Sequence, residues 1–214
     1  MRFLHLPSAL ILAALLASCG NPKAPAADAG KKPTAEQQAA ALAGASAKTE
    51  GEKKEGNLSQ ELLDKLAATK SDEEAASLEE EVWDAWLVSG SATVDVLMKR
   101  GLEAQENEDP EMARDMFDRV IIMKPQYAEG WNRRALLFFN DKQYDEAVAD
   151  LESALTYEPR HFGAWIGLGM IFESIDRPEA ALRAYQKALA IHPHAASAVS
   201  GEKRLKRAVE GMPL

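Results

Sequence analysis

The stretch Trp131-Asn132-Arg133-Arg134-Ala135, followed by Tyr144-Asp145-Glu146-Ala147 and closed by Pro159, decides the fold. Its pattern recurs on both sides, with Pro125, Pro159 and Pro193 each 34 residues apart. In the first half of each unit a large apolar residue stands at Leu97, Trp131 and Trp165, and a small one follows at Gly101, Ala135 and Gly169. Ala104, Phe138 and Phe172 come next. The second half carries Ala113, Ala147 and Ala181, then Phe117, Leu151 and Tyr185, then Val120, Ala154 and Ala188. Spacings of three and four place these residues on one face of a helix. Small residues let two helix backbones approach, and large ones fill the groove beside them. Proline closes each unit because a helix cannot pass through it without losing a hydrogen bond. A helical repeat of this period predicts an all-α solenoid of stacked helix pairs.

These residues resemble the tetratricopeptide repeat family over Val94 to Ala195, as three units at 94–127, 128–161 and 162–195. The first unit departs most, with Leu97 for the aromatic, Arg100 for the usual leucine and Ala104 for tyrosine; Arg134 also replaces a leucine. The resemblance implies a superhelix whose concave groove is lined by the first helix of each pair and holds a peptide or partner helix. Rotating about 100° per residue away from the packing face selects Met98, Leu102 and Gln105, then Asn132, Leu136 and Phe139, then Ile166, Met170 and Glu173, with Arg133 at the edge. Some relatives clamp a chaperone's terminal carboxylate with lysines, asparagines and an arginine. The corresponding positions here are Met98, Leu102, Arg133, Gly163 and Gly167, so that clamp is not expected. An apolar groove suits an amphipathic helix.

Outward from the repeats, residues 1–18 read as a secretory signal: Arg2, then the apolar run Leu10 to Leu16, too short to be a permanent span. Leu16-Ala17-Ser18-Cys19 resembles a bacterial lipobox, which implies cleavage before Cys19 and a lipid on its thiol. Cys19 is the sole cysteine, so no intramolecular disulfide is possible. Residues 19–57 are poor in large apolar side chains and read as a disordered linker. The expected location is a bacterial envelope, lipid-anchored and periplasm-facing. Gly20, where enteric inner-membrane lipoproteins have aspartate, favours the outer membrane over the inner. The alternative is a cytoplasmic interaction protein that keeps its N-terminus.

Residues 58–93 form an expected helical hairpin, with Ser71 and Glu74 as a capping box and Gly90 near the helix end. Its tryptophans, Trp83 and Trp86, are expected to cover the open end of the first repeat, since terminal repeats need caps. The competing expectation is that the hairpin folds back into the groove. Residues 196–214 form the second cap, with Lys203, Arg204, Lys206 and Arg207 as a solvated basic face.

The chemistry points away from catalysis. His192-Pro193-His194 has two histidines, but the proline ends a helix there and no second metal-ligand cluster exists. Gly167-Leu168-Gly169 lies inside a repeat helix, where close packing explains it better than a phosphate loop. No nucleophile–base grouping or isolated carboxylate pair stands out, and neither metal nor cofactor is expected. A net charge of −9 opposes nucleic-acid binding, which needs concentrated Lys and Arg. The expected role is a non-catalytic adaptor with a protein partner; an accessory factor or small enzyme of cell-wall metabolism is the alternative from another class.

Overall fold

The computed structural model describes residues 50–209, with side chains from 58 to 208. These residues belong to the second of two units into which the chain divides, Ala47–Leu214. The signal segment, Cys19 and most of the expected linker lie outside the described residues. Every regular element described is a helix: α1 (Glu50–Ala68), α2 (Asp72–Leu87), α3 (Ala92–Glu106), α4 (Pro110–Met123), α5 (Ala128–Asn140), α6 (Tyr144–Tyr157), α7 (Phe162–Ser174), α8 (Pro178–Ile191) and α9 (Ala196–Val209). Helix α1 begins seven residues before the expected boundary at 57. Among the described residues no helix is long and apolar enough to cross a membrane.

The three expected repeats are α3–α4, α5–α6 and α7–α8, with α9 packed on α8. Each second helix stops two residues before its proline, at Met123, Tyr157 and Ile191. The small slots explain the close approach. A Cβ on Gly101 would lie 2.4 Å from the Phe117 ring, and one on Gly169 would lie 2.6 Å from Tyr185. Ala113, Ala147 and Ala181 are fully buried. The turns inside the repeats share a less visible feature. Glu108, Lys142 and Asp176, again 34 apart, all take the left-handed conformation with φ near 57–60°. The next residue's N–H then reaches back to close the helix end, as Asp109 to Ala104 O, Gln143 to Phe138 O and Arg177 to Phe172 O.

Two expectations about packing change. Trp131 and Trp165 are only partly buried, because each indole N–H donates to the carbonyl of the preceding proline, Pro125 at 2.7 Å and Pro159 at 3.1 Å. They tie helix starts to turns while packing on the core from its edge. Arg134, in a leucine slot, is held by Asp118 and Asp150 at 2.7 Å each and crosses the faces of Trp131 and Phe138. Those carboxylates push its guanidinium pKa up and join α4, α5 and α6, with Asp150 almost fully buried.

The hairpin is not the cap of repeat one. At the slots where later repeats bury Gly130 and Leu137, or Ala164, Leu168 and Ile171, the first repeat exposes Val96, Arg100 and Glu103. Polar substitution makes that end tolerable in water without a cover. Helix α2 runs instead along the junctions between repeats. Tyr127 donates its hydroxyl to Trp86 O at 2.8 Å, His161 stacks on the Trp86 ring at 4.1 Å, His192 bonds Glu79 at 3.1 Å, and His194 bonds Asp72 at 2.6 Å. Helix α1 adds Asp64 to Arg160 and Gln60 to Glu158, and the hairpin's exit adds Lys124 to Ser89 O. Leu62, Leu63, Leu66, Val82 and Phe162 fill the space beneath. Leu58, one turn before Leu62 on α1, is half exposed, and Gly90 takes its left-handed conformation two residues past the α2 cap at Val88.

Candidate functional site: a groove walled by the hairpin

The inner faces of α5 and α7 meet the edge of α2 around an open cavity of about 500 Å³. Six of the ten sequence-selected groove residues line it: Asn132, Arg133, Leu136, Phe139, Ile166 and Met170. Leu136 and Met170 are 43% and 40% exposed, on adjacent repeats. Single exposed apolar side chains are ordinary, and this protein has others; their gathering in one concave site is the informative observation.

The remaining four lie elsewhere. Met98 is a correction: it is buried in the cluster of Val94, Phe117 and Tyr127, with Leu87 packed against that cluster at the end of α2. Leu102 is half-buried against the same cluster. Neither Gln105 nor Glu173 borders the cavity, and Glu173 is held instead by Arg204 and the Tyr185 hydroxyl, each at 2.7 Å. The hydrogen bond from Arg204 holds the Glu173 carboxyl below its usual range. The groove expected over three repeats is therefore confined to two, because the hairpin's exit fills the first.

Sequence reasoning did not select Glu79 or Ser197 as lining residues; it met Gly163 only as a position without the clamp residue, and Trp83 only through the competing expectation that the hairpin folds into the groove. Gly163 matters most among them. A Cβ there would meet the Trp83 ring at 2.6 Å, so its bare backbone is what lets the indole sit against α7. The tryptophan pair was visible in the sequence, but not which surface it would meet.

The floor under Arg133 is polar and sealed. Glu129 is 1% exposed and bonded by Arg133 Nε at 2.5 Å, Asn132 Nδ2 at 3.1 Å and His161 Nε2 at 2.9 Å. His161 Nδ1 accepts the Ala164 N–H at 3.1 Å, so the proton facing Glu129 sits on Nε2. Burial pushes the Glu129 carboxyl up, but the His161 hydrogen bond and the Arg133 charge outweigh it and hold the group below its usual range. Arg133 also lies 5.5 Å over the Trp83 ring. Each member has a structural partner, so the cluster fixes the groove wall. No group of three or more metal-ligating side chains occurs among the described residues.

Residues 98–156 and 141–196 match the family model described as Tetratricopeptide repeat. Over 133 residues the chain is 37% identical to a TPR repeat-containing protein of Rhizobium etli, covering 62% of this chain and 65% of that one. It is 35% identical over 100 residues to the small glutamine-rich tetratricopeptide repeat-containing protein 2 of Saccharomyces cerevisiae, covering 47% of this chain and 29% of that one. Among solved structures, the Arabidopsis OM64 TPR domain superposes with a TM-score of 0.53 at 21% identity, over 55% of this chain and 97% of that domain. The first TPR of Spaghetti (RPAP3), solved with the HSP90 peptide SRMEEVD, has the same TM-score at 19% identity, over 55% and 93%. The repeats at 98–196 are tetratricopeptide repeats, stacked as a solenoid.

Proposed function

We propose that this protein is a non-catalytic binding scaffold, which holds an apolar peptide or amphipathic helix of a partner protein in the cavity between α2, α5 and α7. The observation that carries this reading is the pair Leu136 and Met170, exposed side by side over an otherwise apolar wall of Phe139 and Ile166. The first TPR of Spaghetti, solved with a short and largely charged peptide, supports only that this fold can hold a peptide. Leu136→Glu places a charge where a partner's apolar face would have to desolvate it. Folding should be unchanged in circular dichroism and melting, because Leu136 faces water. Partner recovery in a pulldown should collapse; full recovery with this variant would move binding away from the groove.

The scaffold acts at a membrane. Leu16-Ala17-Ser18-Cys19 supports lipidation of Cys19 and placement on the periplasmic side of a bacterial envelope, on the outer rather than the inner membrane, where the scaffold would serve assembly of envelope complexes. Durable anchoring needs two or more acyl chains, which a lipidated N-terminal cysteine supplies. Cys19→Ser should abolish lipid labelling and release a folded protein. A serine variant that stays membrane-bound in high salt would defeat the anchor.

A further inference from the structure

Helix α2 contributes one wall of the groove, and its charge is wholly one-sided. Its 16 residues include Asp72, Glu73, Glu74, Glu79, Glu80, Glu81 and Asp84, and no Lys or Arg. Three of these carboxylates are used inside the fold. Asp72 bonds His194, Glu74 bonds Thr69 Oγ1, and Glu79 bonds His192. Glu73, Glu80, Glu81 and Asp84 are exposed and pair with no cation among the described residues. Helical spacing turns Glu73, Glu80 and Asp84 away from the buried Ala75, Leu78, Val82 and Trp86, onto the outer face about a quarter turn round the helix from the edge that carries Glu79 and Trp83. That edge is the one that borders the cavity.

The cation inside the groove does not offset this. Arg133 is engaged by the buried Glu129 and contributes little net positive potential. An occupant of the cavity thus meets an apolar floor on α5 and α7 and an acidic flank on α2. Such a flank raises the local concentration of cations and repels acidic segments. The net charge of −9 acts in the same direction at longer range.

We infer that the groove selects a basic amphipathic helix: one face of large apolar residues seated on Leu136, Phe139, Ile166 and Met170, the neighbouring face rich in lysine or arginine and turned toward Glu73, Glu80 and Asp84. This rests on the groove reading above and adds the chemistry of the partner to it. The groove supplies the burial, and α2 supplies the discrimination between partners of equal hydrophobicity.

The test uses three synthetic helical peptides with one leucine face and a polar face of lysine, glutamine or glutamate. Binding to the full chain is followed by fluorescence anisotropy at low and high salt. The lysine peptide should bind about tenfold or more tighter than the glutamate peptide at low salt, with glutamine between, and the gap should narrow as salt screens the flank. The double variant Glu80→Lys with Asp84→Lys, both exposed, should reverse the order. Leu136→Glu should weaken the glutamine peptide in every buffer. Equal binding of all three peptides, still lost in Leu136→Glu, would overturn the charge selection and leave the groove standing. A lysine preference unaffected by Leu136→Glu would show α2 acting alone as a polyanion and would overturn both. Binding of none of the peptides would likewise overturn both.

Discussion

The repeats and the hairpin that lies across them are held by different kinds of contact. Within the repeats the helix-contact slots Gly101/Ala135/Gly169 and Ala113/Ala147/Ala181 are refilled with small residues every 34 positions, and most of the burial is apolar and repetitive. Between hairpin and repeats, equivalent slots make unlike contacts. Lys124, Glu158 and His192 occupy one slot, and they bond a carbonyl, an amide and a carboxylate of the hairpin. Arg160 and His194 share another, each facing a different aspartate. A repeat array is stabilised by interfaces that resemble one another, whereas a strap laid along it must meet each junction individually. The seam is also less completely satisfied. Trp86 Nε1 and His192 Nδ1 are buried there without a hydrogen-bond partner, and such groups cost stability.

The largest effect should come from the repeat interior. Phe117 is fully buried against Gly101, and Phe117→Ala should cost about 4 kcal/mol through lost burial and a residual cavity. Urea unfolding should show the loss as a lowered midpoint for the whole described fold. A midpoint shift confined to the hairpin would break the distinction between the two regions.

Trp86→Ala is the matching experiment on the seam. The side chain is 8% exposed and stacked on His161, so local opening of α1 and α2 should become easier by about 3 kcal/mol. Hydrogen exchange should then rise in α1 and α2 while α4 to α8 keep their protection. Equal deprotection of the repeats would make the hairpin an integral part of the solenoid. Protection unchanged everywhere would remove Trp86 from the seam's energetics.

The same contrast explains what was legible in the sequence. The three helix pairs, the small-to-large packing and the proline boundaries could be read because repetition multiplies a weak local signal. Six groove residues followed from helix geometry once the family resemblance had placed a groove on the first helices. Met98 did not, because its burial depends on where Leu87 comes to rest, and that is a contact between segments with no shared period. Trp131 and Trp165 misled in another way. Their size suggests a core role, but an indole N–H needs a partner, and the proline carbonyl holds each ring near the surface. For Arg134 a signal was present: Asp118 and Asp150 stand 16 residues to either side, a spacing that brings neighbouring second helices onto one first helix.

The smallest effect tests the polar end of the seam by pH. Both ring nitrogens of His194 face acceptors, Nδ1 toward Asp72 Oδ1 at 2.6 Å and Nε2 toward the Thr69 carbonyl at 3.1 Å. Neutral imidazole has one N–H, so only the protonated ring donates to both. The Asp72 hydrogen bond, aided by that to Thr69, raises the His194 pKa above its ordinary 6.5. When the hairpin is undocked the histidine returns to that ordinary value. Its contribution to docking is therefore fully present below about pH 6.5 and is lost as pH rises through the raised value. Asp72 is 97% exposed, so solvent and salt keep the contribution small. Hydrogen exchange of the first turns of α2, corrected for the intrinsic rate, should accelerate modestly from pH 6 to pH 8.5. In His194→Gln that pH dependence should disappear, while the overall helix content in circular dichroism stays as in the wild type. Wild-type exchange that slows with rising pH, or a variant that keeps the full dependence, would remove His194 from the docking of the hairpin.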